Sequence, residues 1–261
     1  MTRKLFAIGI GTGGLEQITL EAVRALEQVR VVFLLDKGSD KAALADVRRQ
    51  LCERFAGPRC RLVEIEDAPR DARIAPYVER VEEWHDRRTA AYERALVEHL
   101  EPGAVGALLV WGDPSLYDST LRILQALGRN EALALSYEVI PGISSPQVLA
   151  ARHKINLNRI GGAVLITTGR RLRDGLPAGV DDIVVMLDGE ATFLEIDEPG
   201  LEIYWGAYLG TEHELLVSGP LARCKHEIER TRRQARARHG WIMDTYLLRR
   251  APGRRALGEV G

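Results

Sequence analysis

The chain has 261 residues, of which 46% are hydrophobic, 28% charged and 6% aromatic. This is the composition of an ordinary globular protein, and it excludes a chain that is disordered throughout or collagen-like. With 36 basic and 37 acidic residues the formal net charge is −1, so no global field attracts nucleic acid or an anionic membrane, and we expect neither as a partner. The sequence has no apolar run as long as a membrane helix, and the apolar segment Leu5–Ile10 is too short for a signal peptide. We therefore expect a cytoplasmic protein.

The cysteines follow no recognised pattern. Cys52, Cys60 and Cys224 are odd in number and lack C-x-x-C spacing, which fits neither a disulfide framework nor a zinc site. The His, Asp and Glu residues show no metal-ligand spacing either. We therefore predict a protein without a bound metal.

Short apolar runs alternate with segments of helical period in the first half of the chain. This βαβ pattern predicts a mostly parallel sheet that is covered by helices. The predicted strands are Leu5–Gly9, Val31–Leu35, Leu62–Ile65, Ala107–Val110 and Tyr137–Ile140. The charged segment Tyr77–Leu100 has the period of one long helix.

The pattern changes after Pro141 and predicts a second α/β domain. Its predicted elements are a helix near Ser145–Ala151, strands near Ala163–Thr167, Ile183–Leu187 and Leu201–Gly206, a basic helix over Glu227–His239 and a closing strand over Trp241–Leu248. We divide the chain into domains 1–140 and 141–250 and a flexible tail, 251–261. The arginines of the basic helix would suit a nucleic-acid-binding module, which is the non-catalytic alternative.

A glycine-rich loop, Gly9-Ile10-Gly11-Thr12-Gly13-Gly14, follows the first predicted strand. In the register Gly9-x-Gly11-x-x-Gly14 it matches the dinucleotide-binding pattern, with Asp36 near the place of the ribose-binding acid. That pattern needs a helix to begin at the loop, but Leu15–Ile18 intervene and Thr19 is the better N-cap. An NAD-dependent oxidoreductase is therefore the alternative from another class of enzyme.

Two more loops follow predicted strands, where ligands bind in open α/β sheets. The second loop runs from Trp111 to Thr120 and contains the sequence Gly-Asp-Pro. Its Asp113 can accept hydrogen bonds from hydroxyl or ammonium groups. The third loop, Pro141–Ser145, opens a helix and offers two hydroxyls for a cap or for a ligand.

The order of these loops resembles that of the tetrapyrrole (uroporphyrin-III C/corrin) methyltransferase family. The shared features are a GxGxG loop, a GDP loop with an aromatic residue after it and a PGIS loop, and the resemblance extends from Leu5 to about Leu248. It implies two α/β domains with a cleft for S-adenosylmethionine between them, and a homodimer. Two further segments, Leu35–Gly38 and Tyr204–Thr211, are similar to the branch that methylates precorrin-5 at C-1 and releases acetate, giving precorrin-6A in aerobic cobalamin biosynthesis. Methylation at another position or stage of the precorrin pathway is the alternative within the family.

On matching positions, the resemblance implies residues that contact S-adenosylmethionine or its product S-adenosylhomocysteine. In the three loops these are Gly11, Gly13, Trp111, Gly112, Asp113, Leu116, Ser144 and Ser145, and in the second domain Met186 and Leu209 would flank the adenine. The chain departs from the family pattern at two positions. Gly13 stands where the pattern has proline, and Trp111 stands where it has glycine.

The precorrin substrate that the resemblance implies carries many carboxylate arms, which need fixed cations. The candidates are Lys37, which follows a predicted strand, and Arg170, Arg171 and Arg173, which follow the Thr167-Thr168-Gly169 turn. Acetate release also needs a general base. The candidates for that role are Tyr117, Asp118 and His213.

Overall fold

The chain folds into two units, each of which combines helices with one five-stranded sheet. The computed structural model describes residues 1–36, 42–67 and 77–251. The first unit is Met1–Ser144, so the third loop belongs to it up to Ser144, and the second unit begins at Ser145. Lys37, Gly38 and residues 252–261 of the predicted tail lie outside the described residues. The α/β class with two domains, which the sequence predicts, is confirmed.

The first unit contains a sheet whose strands are all parallel, in the order β3-β2-β4-β1-β5. In chain order its elements are β1 (Arg3–Gly9), α1 (Leu20–Leu26), β2 (Val31–Asp36), α2 (Ala42–Phe55), β3 (Arg61–Glu66), α3 (Tyr77–His99), β4 (Val105–Val110), α4 (Thr120–Gly128) and β5 (Leu135–Ile140). The five predicted strands and the long charged helix are confirmed. Short 3-10 turns lie at Leu15–Gln17 and Glu131–Leu133.

The helices of the first unit cover both faces of this sheet. On one face Leu26 of α1 and Leu51 of α2 pack against Ile8, and on the other face Leu96 of α3 and Leu124 of α4 belong to a separate core. Because the strands are parallel, their carboxyl ends meet at one edge of the sheet. The loops that follow β1, β4 and β5 therefore lie side by side.

The second unit is mostly antiparallel, and its strands have the order β6-β7-β10-β8-β9. Among the strand pairs described in this unit, only β6 and β7 run parallel to each other. In chain order its elements are α5 (Ser145–His153), β6 (Val164–Thr168), α6 (Gly169–Leu172), β7 (Asp182–Met186), a 3-10 turn (Thr192–Glu195), β8 (Leu201–Ala207), β9 (Leu215–Pro220), α7 (Leu221–His239) and β10 (Asp244–Arg250). Its core is built around Phe193, Trp205 and Tyr246, which are almost fully buried.

Three predictions for the second unit need correction. The strand β9 was not expected, because its sequence, Leu-Leu-Val-Ser-Gly-Pro, does not alternate between apolar and polar residues, although burial alternates along the strand. The helix α7 begins at Leu221 and not at Glu227, since Leu221, Cys224 and Ile228 form its buried stripe. The strand β10 begins at Asp244 and not at Trp241. Among the described helices, none combines the length and the apolar content needed to cross a membrane.

Candidate cofactor site

The loops after β1, β4 and β5 meet through their backbones. Gly11 and Gly112 form an antiparallel bridge, in which Gly112 N donates to Gly11 O at 2.7 Å and Gly11 N to Gly112 O at 3.3 Å. A Cβ atom on Gly9 would lie 2.5 Å from Gly142 N and 2.8 Å from Gly112 O. A Cβ atom on Gly142 would lie 2.6 Å from Gly9 C. These glycines form a junction that side chains at Gly9 and Gly142 would push apart. We call the contact of Gly9, Gly11, Gly112 and Gly142 the glycine junction.

Asp113 ties the second loop to the third. Its Oδ1 accepts from the backbone N–H of Ser115 at 2.8 Å and also from the Ser115 hydroxyl, while Oδ2 accepts from Gly142 N at 2.9 Å. Burial alone would raise the pKa of this carboxyl, but the hydrogen bonds from Ser115 and Gly142 outweigh that effect and hold the pKa below its usual value. The side chain is thus a carboxylate with a fixed orientation, and its oxygens retain lone pairs for a ligand.

The first loop has a backbone path that only glycine adopts easily. Gly11 has a φ of +77° and Gly13 a φ of +126°. The N–H and the hydroxyl of Thr12 both donate to Gln17 Oε1, at 2.8 and 2.9 Å. Gln17 is a structural partner that sequence reasoning missed, because its side chain reaches back from the 3-10 turn that follows the loop.

The helix start favours the GxGxG interpretation of this loop over the dinucleotide one. The residues after Gly14 form a 3-10 turn, Leu15–Gln17, and α1 begins only at Leu20. The predicted N-cap is confirmed, since Thr19 Oγ1 accepts from Ala22 N at 3.1 Å. A dinucleotide pyrophosphate at the loop would therefore lack the helix N-terminus that this fingerprint requires.

The rest of the second loop surrounds Tyr117, which has a φ of +52° and a side chain that is 44% exposed. Partial burial of the Tyr117 side chain raises the pKa of its hydroxyl. Asp118 Oδ1 accepts a hydrogen bond from Thr120 N, the first residue of α4, at 2.6 Å. Leu116 N donates to Asp113 O at 3.2 Å, and Trp111 packs against the core that α1 and α2 cover. A non-glycine residue with a positive φ, such as Tyr117, is a frequent feature of functional sites.

The structure brings several of the predicted second-unit residues together. The hydroxyl of Ser145 lies 2.9 Å from that of Thr245 on β10, and Thr245 is paired in register with Met186 on β7. Leu209 is buried, and Met186 packs against the apolar cluster to which Leu209 belongs. Ser145, Met186 and Leu209 are thus neighbours, with Thr245 as an additional polar group that the sequence pattern did not reveal.

The arginines after β6 are exposed and lie among acidic residues. Arg173 forms an ion pair with Glu190, and Arg171 lies 3.7 Å from Asp174. These contacts neutralise part of the positive charge that the sequence places there. Arg170 is exposed beside them at the start of α6.

His213 stacks on His239, at the end of α7, with ring centroids 4.3 Å apart. Burial and the neighbouring charges of His213 and Arg238 lower the pKa of His239. Within the described part of the chain no three His, Cys, Asp or Glu side chains are placed to hold a metal ion.

Comparison with known proteins identifies the family. The sequence profile of the Tetrapyrrole (Corrin/Porphyrin) Methylases matches residues 4–224, which is most of the chain. The chain belongs to this family. A Sinorhizobium relative, precorrin-6A synthase [deacetylating], is 46% identical to this methylase over 249 residues, which are 95% of each chain.

Two solved structures have the same fold as this methylase. The crystal structure of a cobalamin synthesis related protein (CobF) from Corynebacterium diphtheriae has a TM-score of 0.84 and 37% identity, covering 97% of this chain and 100% of that one. Uroporphyrin-III C-methyltransferase from Thermus thermophilus, solved in complex with S-adenosylhomocysteine, has a TM-score of 0.57 and 20% identity, covering 94% of this chain and 96% of that one.

The first loop of this methylase has its own backbone geometry at Gly13. Proline fixes φ near −65°, whereas Gly13 has a φ of +126°. The proline of the family pattern would therefore not fit this backbone. Trp111 is the second position that departs from the family pattern, and its partly buried indole packs beside the glycine junction.

Proposed function

We propose that the chain is an S-adenosylmethionine-dependent methyltransferase that methylates C-1 of precorrin-5 and releases acetate, giving precorrin-6A in aerobic cobalamin biosynthesis. The observation that carries this proposal is the 46% identity to the Sinorhizobium precorrin-6A synthase over nearly the full length of both chains. The glycine junction supports it, because the loops that carry the family motif meet at the carboxyl edge of the parallel sheet.

The residues of the junction suit the amino-acid end of S-adenosylmethionine. Backbone N–H groups of glycine-rich loops can approach a carboxylate closely, and Asp113 offers a fixed carboxylate for an ammonium group. The proposed contacts of the first unit are Gly11, Gly13, Trp111, Gly112, Asp113, Leu116 and Ser144. In the second unit Ser145 is proposed as a polar contact, and the apolar Met186 and Leu209 as contacts for adenine.

Methyl transfer from a sulfonium needs orientation and a dry site more than it needs an acid or a base. The ring carbon C-1 attacks the methyl group, and the carbon–sulfur electron pair stays on sulfur, so that S-adenosylhomocysteine leaves. The protein's contribution is to hold both substrates in line. The fixed orientation of Asp113 and the backbone contacts of the junction serve this purpose.

Acetate release requires proton transfer at the acetyl group. Water adds to the acetyl carbonyl, a base takes its proton, the bond to the ring breaks, and the electron pair moves into the macrocycle. The raised pKa of Tyr117 keeps its hydroxyl protonated, which suits donation to the acetyl oxygen. Asp118 and His213 are the proposed proton acceptors.

Three further parts of the proposal depend on the family resemblance. We propose that the protein is a homodimer, that it is located in the cytoplasm, and that Lys37, Arg170, Arg171 and Arg173 bind carboxylate arms of the substrate. Arg171 and Arg173 already face acidic neighbours. Substrate carboxylates would therefore have to compete with Asp174 and Glu190.

Calorimetric titration with S-adenosylhomocysteine, with NAD as the parallel ligand, tests the cofactor part of the proposal. Saturable binding of S-adenosylhomocysteine alone is the expected result. Binding of NAD without S-adenosylhomocysteine would overturn it and would require the glycine loop to be assigned again.

A further inference from the structure

Leu187, the first residue after β7, is exposed and has an unfavourable backbone conformation. Its φ is +54°, in the left-handed region, and 64% of the residue is exposed to solvent. A leucine in this region costs more free energy than a glycine, because its Cβ atom crowds the carbonyl group that follows. An apolar side chain that stays in water also gains nothing from burial. Neither property stabilises the fold, so the fold alone does not account for a leucine at this position.

The residues on either side of Leu187 hold its backbone in this conformation. Before it, Met186 is paired with strands on both sides, β6 and β10. After it, the buried Asp188 carboxylate accepts hydrogen bonds from the hydroxyl of Tyr246 at 2.6 Å and from the N–H of Thr192 at 2.7 Å. Left-handed residues that their surroundings fix in this way cluster at active sites and ligand-binding sites.

Leu187 lies at the edge of the second unit's sheet where the proposed adenine contacts also lie. The strands β7 and β8 are both antiparallel to β10, so they end at the same edge. Met186 is the last residue of β7, and Leu209 follows β8 after a second left-handed residue, Tyr208, which has a φ of +50°. Met186 packs against the apolar cluster that includes Leu209. Leu187 therefore adds an exposed apolar side chain directly after Met186, at the edge that both proposed contacts share.

An exposed leucine with a fixed backbone is well suited to contact a flat aromatic base. Sites for small molecules are lined mainly by apolar side chains, which remove the faces of the ligand from water. A side chain whose backbone is already fixed loses little conformational freedom when the ligand binds, so more of the contact free energy contributes to affinity. Adenine is the flat base that the proposed cofactor supplies at this edge.

We propose that Leu187 is a further contact of the cofactor and covers one face of the adenine ring of S-adenosylmethionine beside Met186. This inference rests on the cofactor part of the proposed function, and it adds a residue that lies outside the three loop motifs. Binding of the cofactor then offsets the free energy that the fold loses through the left-handed, exposed leucine.

Calorimetric titration of the full-length protein with S-adenosylhomocysteine tests the assignment. Leu187→Ala keeps the Cβ atom but removes the apolar contact, Leu187→Gly removes the contact and the backbone strain, and Leu187→Met keeps an apolar side chain of similar size. Ile160→Ala is the matched control, because Ile160 is a fully exposed aliphatic residue of the same unit. It precedes β6, whose start is paired with the start of β7, so it lies at the other end of the sheet.

We expect Leu187→Ala and Leu187→Gly to weaken S-adenosylhomocysteine binding about fivefold or more, as the loss of a buried apolar contact predicts. Leu187→Met and Ile160→Ala should bind like the wild type. Leu187→Gly should unfold at the same temperature as the wild type or at a higher one, because glycine adopts the left-handed region freely. Weaker binding by a variant that is no less stable distinguishes a ligand contact from a structural role.

Saturation-transfer NMR of bound S-adenosylhomocysteine locates the contact on the ligand. In Leu187→Ala the adenine H2 and H8 protons should lose saturation relative to the methylene protons of homocysteine. An unchanged ratio would overturn the adenine contact.

Two other results would contradict the inference in different ways. If Leu187→Ala and the wild type bind S-adenosylhomocysteine equally, the inference is wrong and the proposed function stands, even where sedimentation shows that the substitution alters subunit association. If the wild type does not bind S-adenosylhomocysteine, the cofactor part of the proposed function is wrong, and the contact of Leu187 with it.

Discussion

Gly142 has no side chain, and this lets the third loop approach the backbone of the first loop closely. A Cβ atom there would lie 2.6 Å from Gly9 C and 2.7 Å from Gly9 Cα, both of them backbone atoms. We therefore expect Gly142→Ala to separate the loops and to lower the free energy of unfolding by about 1–3 kcal/mol, with weaker binding of S-adenosylhomocysteine. Urea unfolding and calorimetry measure both quantities. Gly189→Ala is the control, because no atom lies within 4 Å of the added carbon.

Asp113 makes the same junction sensitive to pH. Its pKa is held below the usual value by hydrogen bonds from Ser115 and Gly142, so its contribution to stability is present above the unfolded-state pKa and is lost as the pH falls through the folded-state pKa. We expect Asp113→Asn to lower the free energy of unfolding at neutral pH and the difference from wild type to shrink below about pH 4. Urea unfolding between about pH 6 and about pH 3 tests this. A difference that stays constant over this range would contradict the assignment.

Sequence patterns predicted the loop residues well and their partners poorly. Gly11, Gly112 and Asp113 stand in a motif with fixed local spacing, so the sequence placed them at strand ends. The contacts of Gln17 and Thr245 were not predictable from the sequence. The Gln17 side chain points back to accept from Thr12, and Thr245 lies 100 residues from Ser145 in the chain.

Among the elements, β10 stabilises the second unit through a buried polar group as well as through its backbone. The hydroxyl of Tyr246 donates to Asp188 Oδ2 at 2.6 Å, and Thr192 donates to the same carboxylate through its N–H at 2.7 Å and its hydroxyl at 2.8 Å. This arrangement links β10 to the turn after β7. The buried carboxylate is therefore well supplied with donors.

Tyr246→Phe tests the contribution of this link. Loss of a buried hydrogen bond to a carboxylate should lower the free energy of unfolding by about 1–3 kcal/mol, as measured by urea denaturation. Tyr204→Phe on the adjacent strand β8 is the matched control, since its hydroxyl bonds to Glu202 at 3.0 Å in a half-exposed position. We expect the control to change stability by less than about 0.5 kcal/mol. Equal effects of the two substitutions would contradict the role given to Asp188.

The elements of the first unit were predictable and several of the second unit were not. Buried parallel strands are continuous apolar runs, which the sequence shows at β1, β2 and β4. The start of β10 was placed too early, because Trp241 and Ile242 are apolar but belong to an irregular segment. Gly240 ends α7 with a φ of +76°. The backbone N–H of Tyr208 donates to Met243 O at 3.0 Å, just before β10 begins.

For the molecule as a whole, the fold class and the substrate are inferred from different evidence. The alternation of strands and helices predicts the fold class from physical pattern alone, whereas the substrate comes from family membership and from the Sinorhizobium relative. The near-neutral net charge carries little information about a polyanionic substrate.

The central claim is tested most directly by incubating the protein with precorrin-5 and methyl-labelled S-adenosylmethionine. The quantities measured are the label in the tetrapyrrole and the acetate in solution. We predict one acetate for each methyl group transferred, with precorrin-6A as the tetrapyrrole product. Label in the tetrapyrrole without acetate would contradict the deacetylating assignment, and no transfer by a protein that binds S-adenosylhomocysteine would contradict precorrin-5 as the substrate.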